Sequence, residues 1–167
     1  MERKNDRERI LGIDPGLNIT GYGVVSMSER RMNSLHLIEA GVVRMTPKAP
    51  MPQRLHELFR DLREIIEEHQ PERIALEQLY SHYERPRTAI LMGHARGVIC
   101  LAAEMSGIPV DSFEPTRIKK MLTGSGRATK EQMQDAVQMQ LSLKDRPEPA
   151  DVADAIAAAI CGLARVA

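Results

Sequence analysis

The chain has 167 residues, the usual size of one compact domain, and at that length folding hides enough surface for a core without disulfide or structural-metal staples. Hydrophobic residues make up 43% and charged residues 28%, with 11 Gly and 10 Pro, values that exclude a largely disordered or fibrous chain. Lys plus Arg (23) cancels Asp plus Glu (23), so no global field draws the protein toward a nucleic acid or a membrane, and any polyanion contact must come from a local patch.

Residues 1–8 are mostly charged and carry no apolar segment of signal-peptide length, so they are expected to be a flexible terminus on a cytoplasmic protein. Residues 9–167 are expected to form a single domain. Stretches 9–14, 22–27 and 35–45 are rich in Ile, Val and Leu and separated by Gly or Asn-Ser punctuation, which predicts three strands in an antiparallel meander. From Met51 the period changes. Leu55, Leu58, Phe59, Leu62, Ile65, Ile66 and His69 recur at three- and four-residue steps, one face of an amphipathic helix that Pro71 closes.

A short strand at 73–77 follows, then a helix at 87–105 that is apolar around most of its circumference. Ile90, Leu91, Met92, Val98, Ile99 and Leu101 give it more apolar surface than one sheet covers, which implies a partner helix, from this chain or from a second subunit. A fifth strand at 108–113, a helix at 129–141 and a last helix at 151–166 complete the chain. The order βββ-α-β-α-β-α-α describes an α/β domain: a mixed five-stranded sheet, three antiparallel strands then parallel ones, with helices on both faces.

Four carboxylates stand where apolar residues are expected. Asp14 ends the first strand before the Pro15-Gly16 turn, and Glu77 ends the strand Ile74-Ala75-Leu76. Asp151 and Asp154 are three apart on the first turn of a helix otherwise made of Val, Ala, Ile, Cys, Gly and Leu. A helix cap and the helix dipole account for one of that pair but not for both. If the first and fourth strands are neighbours and the last helix lies over them, all four acids converge. At about 4 Å each like-charged pair repels by roughly 4 kcal/mol at an effective dielectric near 20, so such a group takes up protons or a cation. Oxygen ligands with no His or Cys at metal spacing select Mg²⁺ or Mn²⁺, and two such ions are the usual apparatus for displacement at a phosphodiester.

Local basic charge is the second ingredient. From Pro115 to Lys130 the chain holds Arg117, Lys119, Lys120, Arg127 and Lys130 and no acid before Glu131. The middle of the patch, Thr123-Gly124-Ser125-Gly126, is expected to be a loop whose N–H groups approach phosphate oxygens. Tyr80 and Tyr83, after Glu77, are placed to stack on or wedge between bases. His36, His56, His69, His82 and His94 show no ligand spacing. Cys100 and Cys161 lie in apolar stretches and are expected to be buried thiols.

Five blocks in order resemble the RuvC family of Holliday-junction resolvases: Leu11-Gly12-Ile13-Asp14-Pro15-Gly16 with Thr20-Gly21-Tyr22-Gly23; Ala75-Leu76-Glu77-Gln78; Gly93-His94-Ala95-Arg96-Gly97; Gly124-Ser125-Gly126-Arg127-Ala128-Thr129-Lys130; and Ala150-Asp151-Val152-Ala153-Asp154-Ala155. The resemblance implies a ribonuclease H-like fold, a homodimer through the helix around 87–105, and symmetric nicking of four-way DNA junctions with two Mg²⁺ ions per subunit, Mn²⁺ being able to substitute. It places Asp14, Glu77, Asp151 and Asp154 as metal ligands and Lys119 and Lys130 at the scissile phosphate. Tyr80 stands where the family usually has Phe, and Tyr83, Arg85, Arg87, Arg117, Lys120 and Arg127 are the other expected DNA contacts. A RuvA–RuvB branch-migration complex is the partner it implies, and no membrane is expected.

The chain departs from the family pattern at 81–87, one residue longer than in typical members and without the usual Lys-Asn, and His94 replaces a frequent Gln. Two other functions share parts of this pattern. An actin-like ATP-dependent phosphotransferase opens on the same Gly-Ile-Asp-x-Gly strand but needs a second lobe. A non-catalytic junction-binding module has no use for four mutually repelling acids.

Overall fold

The computed structural model describes residues 7–16, 18–28, 34–79 and 86–166. Ile10, Leu11 and Ile13 are all fully buried, so strand β1 (Arg7–Asp14) faces apolar layers on both sides and must lie inside the sheet. It does. β1 pairs antiparallel with β2 (Ile19–Ser28) and parallel with β4 (Arg73–Glu77), and with β3 (Ser34–Arg44) and β5 (Val110–Phe113) the order is β3-β2-β1-β4-β5. This is the expected mixed sheet, and β1 starts two residues earlier than the apolar pattern suggested.

Helices α1 (Met51–His69) and α2 (Pro86–Met105) cover one face, packing Leu58, Leu62, Ile66, Ala95 and Ile99 on Leu11, Ile13, Val24 and Val43. The other face holds α3 (Pro115–Thr123), α4 (Lys130–Gln140) and α5 (Ala150–Val166), with Ile118, Met133, Val137 and the α5 alanines against Ile10, Val25 and Ala75. Fully burying a side chain of Leu or Ile size contributes about 1.5–3 kcal/mol, so two such layers anchor every strand that ends in a candidate acid.

Helix α5 seats unusually close to the sheet. A Cβ on Gly12 would lie 1.9 Å from the Ala155 carbonyl oxygen, and one on Gly21 would lie 2.1 Å from that of Asp151. Glycine is therefore required at both positions, because helix backbone occupies the space a side chain would take.

Helix α3 is an element the sequence pattern did not indicate: the stretch from Pro115 to Lys130 reads as a basic patch with a loop at its middle. Pro115 opens it and Gly124, at φ 78, closes it with its N–H on the Lys120 carbonyl. Proline at the first helical position and glycine just past the end are the boundary signals that a nine-residue helix with one buried residue, Ile118, offers in place of periodicity. Its presence changes the loop that follows. The N–H groups of Ser125 and Arg127 donate to Thr123 Oγ1 and Ser125 Oγ, so the expected phosphate cradle is a helix end satisfied from within. Cys161 is buried as expected, whereas Cys100 is exposed on α2 because its position faces away from the sheet.

Candidate active site

Strand parity and register bring the acids together. Gly12 and Asp14 share one face of β1, the face on which Gly12 meets Ala155 of α5. Ala75 and Glu77 likewise share the α5 face of β4, where a Cβ on Gly162 would meet Ala75 Cβ at 3.3 Å. Ile13 is paired with Leu76 in parallel register, so Asp14 and Glu77 leave the sheet as neighbours at its carboxyl end. Asp14 is also opposite Gly21, and Gly21 is where the first turn of α5 presses down. That contact delivers Asp151 and Asp154 to the same spot.

The result is a cavity of about 260 Å³ lined by Asp14, Glu77, Asp151, Asp154, Lys119, Lys130, Pro115, Ile118 and Met133. Ile118 and Met133 are buried and form its apolar floor. Lys119 arrives from α3 and Lys130 from the first position of α4. That start is fixed by a capping box in which Thr129 Oγ1 accepts from the Gln132 N–H while Gln132 Oε1 accepts from the Thr129 N–H.

The electrostatics follow from the crowding. Burial, then Glu77, Asp154 and Asp151, push the Asp14 carboxyl up to about 8 against the pull of Lys130. Burial and Asp154 push Glu77 up to about 7 against Lys119. Asp154 is raised as well, chiefly by burial, with Lys130 and Lys119 opposing. Carboxylates are not stable together as anions here and two lysines fall short of neutralising them, so the pocket is one that could bind a metal ion. The donor set is all oxygen, which fits Mg²⁺ or Mn²⁺.

Arg96, within the Gly93-His94-Ala95-Arg96-Gly97 block but not singled out from sequence, braces the site from the α2 side. Its Nη1 donates to the main-chain carbonyl of Glu77 and its Nη2 to Ser112 Oγ, both at 2.6 Å. The guanidinium thus ties the end of β4 to β5 directly behind a site carboxylate. An arginine inside an otherwise apolar helix was the available signal.

Six predicted residues meet in the pocket and others do not. Arg117 and Lys120 line a separate depression of about 490 Å³ with Thr116, Met121 and Gly126, and the Arg117 guanidinium sits 5.6 Å from the Phe113 ring centre. Arg127 is exposed in the loop after α3, and Arg87 is exposed in the first turn of α2. Tyr80, Tyr83 and Arg85 lie outside the described residues.

The sheet order, the helix that carries two acids across its face and the acid pocket at the strand ends define a phosphodiester hydrolase of ribonuclease H-like fold. Comparisons with known proteins make the assignment specific. The family described as crossover junction endodeoxyribonuclease RuvC matches residues 10–162. A crossover junction endodeoxyribonuclease RuvC of Rhodopirellula baltica is 59% identical over 153 residues, 92% of this chain and 84% of the relative. Among solved structures, Thermus thermophilus RuvC is 31% identical with a TM-score of 0.81, covering 95% of this chain and 96% of that one. The same protein in complex with Holliday junction substrate superposes at a TM-score of 0.83 with 29% identity and the same coverage. This chain belongs to the RuvC family.

Proposed function

We propose that the protein is a structure-selective endonuclease that resolves four-way DNA junctions in homologous recombination and repair by paired, symmetric, metal-dependent phosphodiester hydrolysis. The observation that carries this reading is the convergence of Asp14, Glu77, Asp151 and Asp154 with Lys119 and Lys130 in one pocket. The relation to a RuvC solved with Holliday junction substrate supports the choice of DNA.

The four carboxylates would hold two Mg²⁺ ions per subunit, with Mn²⁺ able to substitute. When bound, such ions polarise the scissile phosphate and activate water. Lys119 and Lys130 present their ammonium groups to the phosphate oxygens on which charge grows in the transition state. The attacking water gives up a proton to solvent as its oxygen forms a bond to phosphorus and the bond to O3′ breaks. The leaving oxygen takes up a proton, giving a 5′-phosphate and a 3′-hydroxyl. Arg96 keeps the end of β4 in place while this happens.

Paired cuts require two sites held at fixed spacing. Helix α2 buries Ala95, Ile99, Ala102 and Ala103 and leaves Ile90, Leu101 and Met105 at 62%, 53% and 60% exposed, an apolar face suited to a second copy of the same helix. Arg87, Arg117, Lys120 and Arg127 add phosphate contacts beyond the pocket, and Tyr80, Tyr83 and Arg85 add further DNA contacts, Tyr80 standing where the family usually has Phe at the junction centre. Selectivity then rests on junction shape and on how easily its steps deform. A RuvA–RuvB branch-migration complex in the cytoplasm would supply the junction. The deciding experiment incubates the protein with a synthetic four-way junction and a matched linear duplex, with and without Mg²⁺, and maps the cuts. Symmetric nicks on opposing strands of the junction only, and only with metal, are expected; equal cutting of the duplex or cutting in chelator would overturn the reading.

A further inference from the structure

On the sheet face opposite the acid pocket, three ligating side chains from distant parts of the chain come together. Glu39 stands on β3, and Glu68 and His69 end α1; one donor atom from each lies within 4.8 Å of the other two. His69 is 7% exposed, and its Nε2 is buried with no hydrogen-bond partner among the described residues. The atom is 3.3 Å from Glu39 Oε2 without hydrogen-bonding geometry. A buried imidazole nitrogen in that condition has lost its water and gained no hydrogen bond, only an ion-pair contact with Glu39 that requires protonation.

The surroundings orient the three donors. The Tyr22 O–H donates to Glu39 Oε1 at 2.6 Å, which turns Oε2 toward the imidazole. Arg9 Nη1 donates to the His69 carbonyl at 2.9 Å. Gln70, in the left-handed region at φ 48, returns its N–H to the Ile66 carbonyl and stops α1 directly after His69. Glu68 is exposed and turns without leaving solvent.

We propose that Glu39, Glu68 and His69 form a zinc site that clips β3 to the end of α1. One imidazole nitrogen with two carboxylate oxygens is a zinc donor set, unlike the all-oxygen pocket on the other face, and water completes the fourth position. A donor separation of 3.3 Å between His69 and Glu39 is also the edge of a tetrahedron whose bonds are about 2.0–2.1 Å long. The Tyr22 hydrogen bond to Glu39 is the outer contact that such ligating carboxylates usually have. Occupied, the site stabilises the folded chain in proportion to the logarithm of free zinc.

The test titrates zinc into the full chain with Mg²⁺ saturating the acid pocket, by calorimetry and by thermal unfolding, with Co²⁺ absorption as a report of four-coordinate geometry. One zinc per chain, a rise in melting temperature and a tetrahedral Co²⁺ spectrum are expected. His69→Gln and Glu39→Gln should weaken zinc binding at least about tenfold. Glu68→Gln, at an exposed position that folding does not depend on, should do the same while melting like the parent in chelator. Asp14→Asn should leave zinc uptake intact. No zinc uptake by the parent, unchanged affinity in Glu68→Gln and His69→Gln, or loss of uptake in Asp14→Asn would each overturn the proposal.

Discussion

Asp14 and Glu77 leave adjacent parallel strands side by side, one residue beyond the Ile13–Leu76 pair, with both carboxyls on the face that α5 covers. This adjacency, closed over by Asp151 and Asp154, makes the pocket unstable as a set of free anions.

Asp14→Asn and Asp151→Asn should each lower the cleavage rate by on the order of 10²-fold or more, since each removes a charge that holds cation and phosphate in the transition state. Junction binding in Ca²⁺ or chelator should persist. Without metal, Asp14→Asn should melt higher than the parent because a buried acid that the fold makes costly to ionise is gone. Retained activity would remove that residue from the catalytic set.

Metal-free stability should fall as pH rises. In the folded chain Asp14 titrates at about 8 and Glu77 at about 7, against ordinary values of 3.8 and 4.5. Between those limits the folded state binds more protons than the unfolded one, so stability declines with pH by up to about 1.4 kcal/mol per pH unit for each group. The contribution is whole below about pH 4 and gone above about pH 8. Urea midpoints in chelator between about pH 5 and about pH 8 should drop and should flatten on adding Mg²⁺; a rise with pH would contradict the pocket described here.

Arg96→Ala should raise the Mg²⁺ concentration needed for half-maximal cleavage by about 10–100-fold, the usual effect of losing a contact behind a ligand. Arg96→Lys should restore little, because a single ammonium does not span the Glu77 carbonyl and Ser112 Oγ as the guanidinium does. An unchanged metal requirement with a lowered melting temperature would reduce Arg96 to a packing role.

Gly21→Ala should destabilise the fold by about 1–3 kcal/mol or more, as its Cβ would meet the Asp151 carbonyl oxygen at 2.1 Å. The same displacement should move the first turn of α5 and lower cleavage beyond what the lost stability explains. Rates measured well below the melting temperature separate the two effects.

If the proposed dimer forms through α2, Leu101→Arg should turn it into monomers in sedimentation while the monomer keeps its melting behaviour, since Leu101 is 53% exposed in the single chain. Junction cuts should become single and uncoordinated.

Much of this was legible in the residues. Asp14 and Glu77 could be read because an acid that ends an apolar strand stands out against period-two burial, and Asp151 with Asp154 because charge interrupts an alanine-rich helix. Helix α3 was not legible from periodicity: nine residues with one buried side chain carry too little pattern, and its lysines read only as part of a basic patch. Arg96 was hidden because its partners are a main-chain carbonyl and a serine hydroxyl, neither of which sequence spacing reports. His69 shows the same limit, since its neighbours Glu39 and Tyr22 are supplied by other strands.

By itself, the sequence determined the order of every element but α3, the four acids and the basic segment, because each is a local matter of side-chain type and period. Only the tertiary structure decided that β4 lies beside β1 in parallel register and that α5 seats on Gly12 and Gly21. Those two long-range packings, which no local pattern encodes, turn separate carboxylates into one pocket and leave Lys119 and Lys130 facing it.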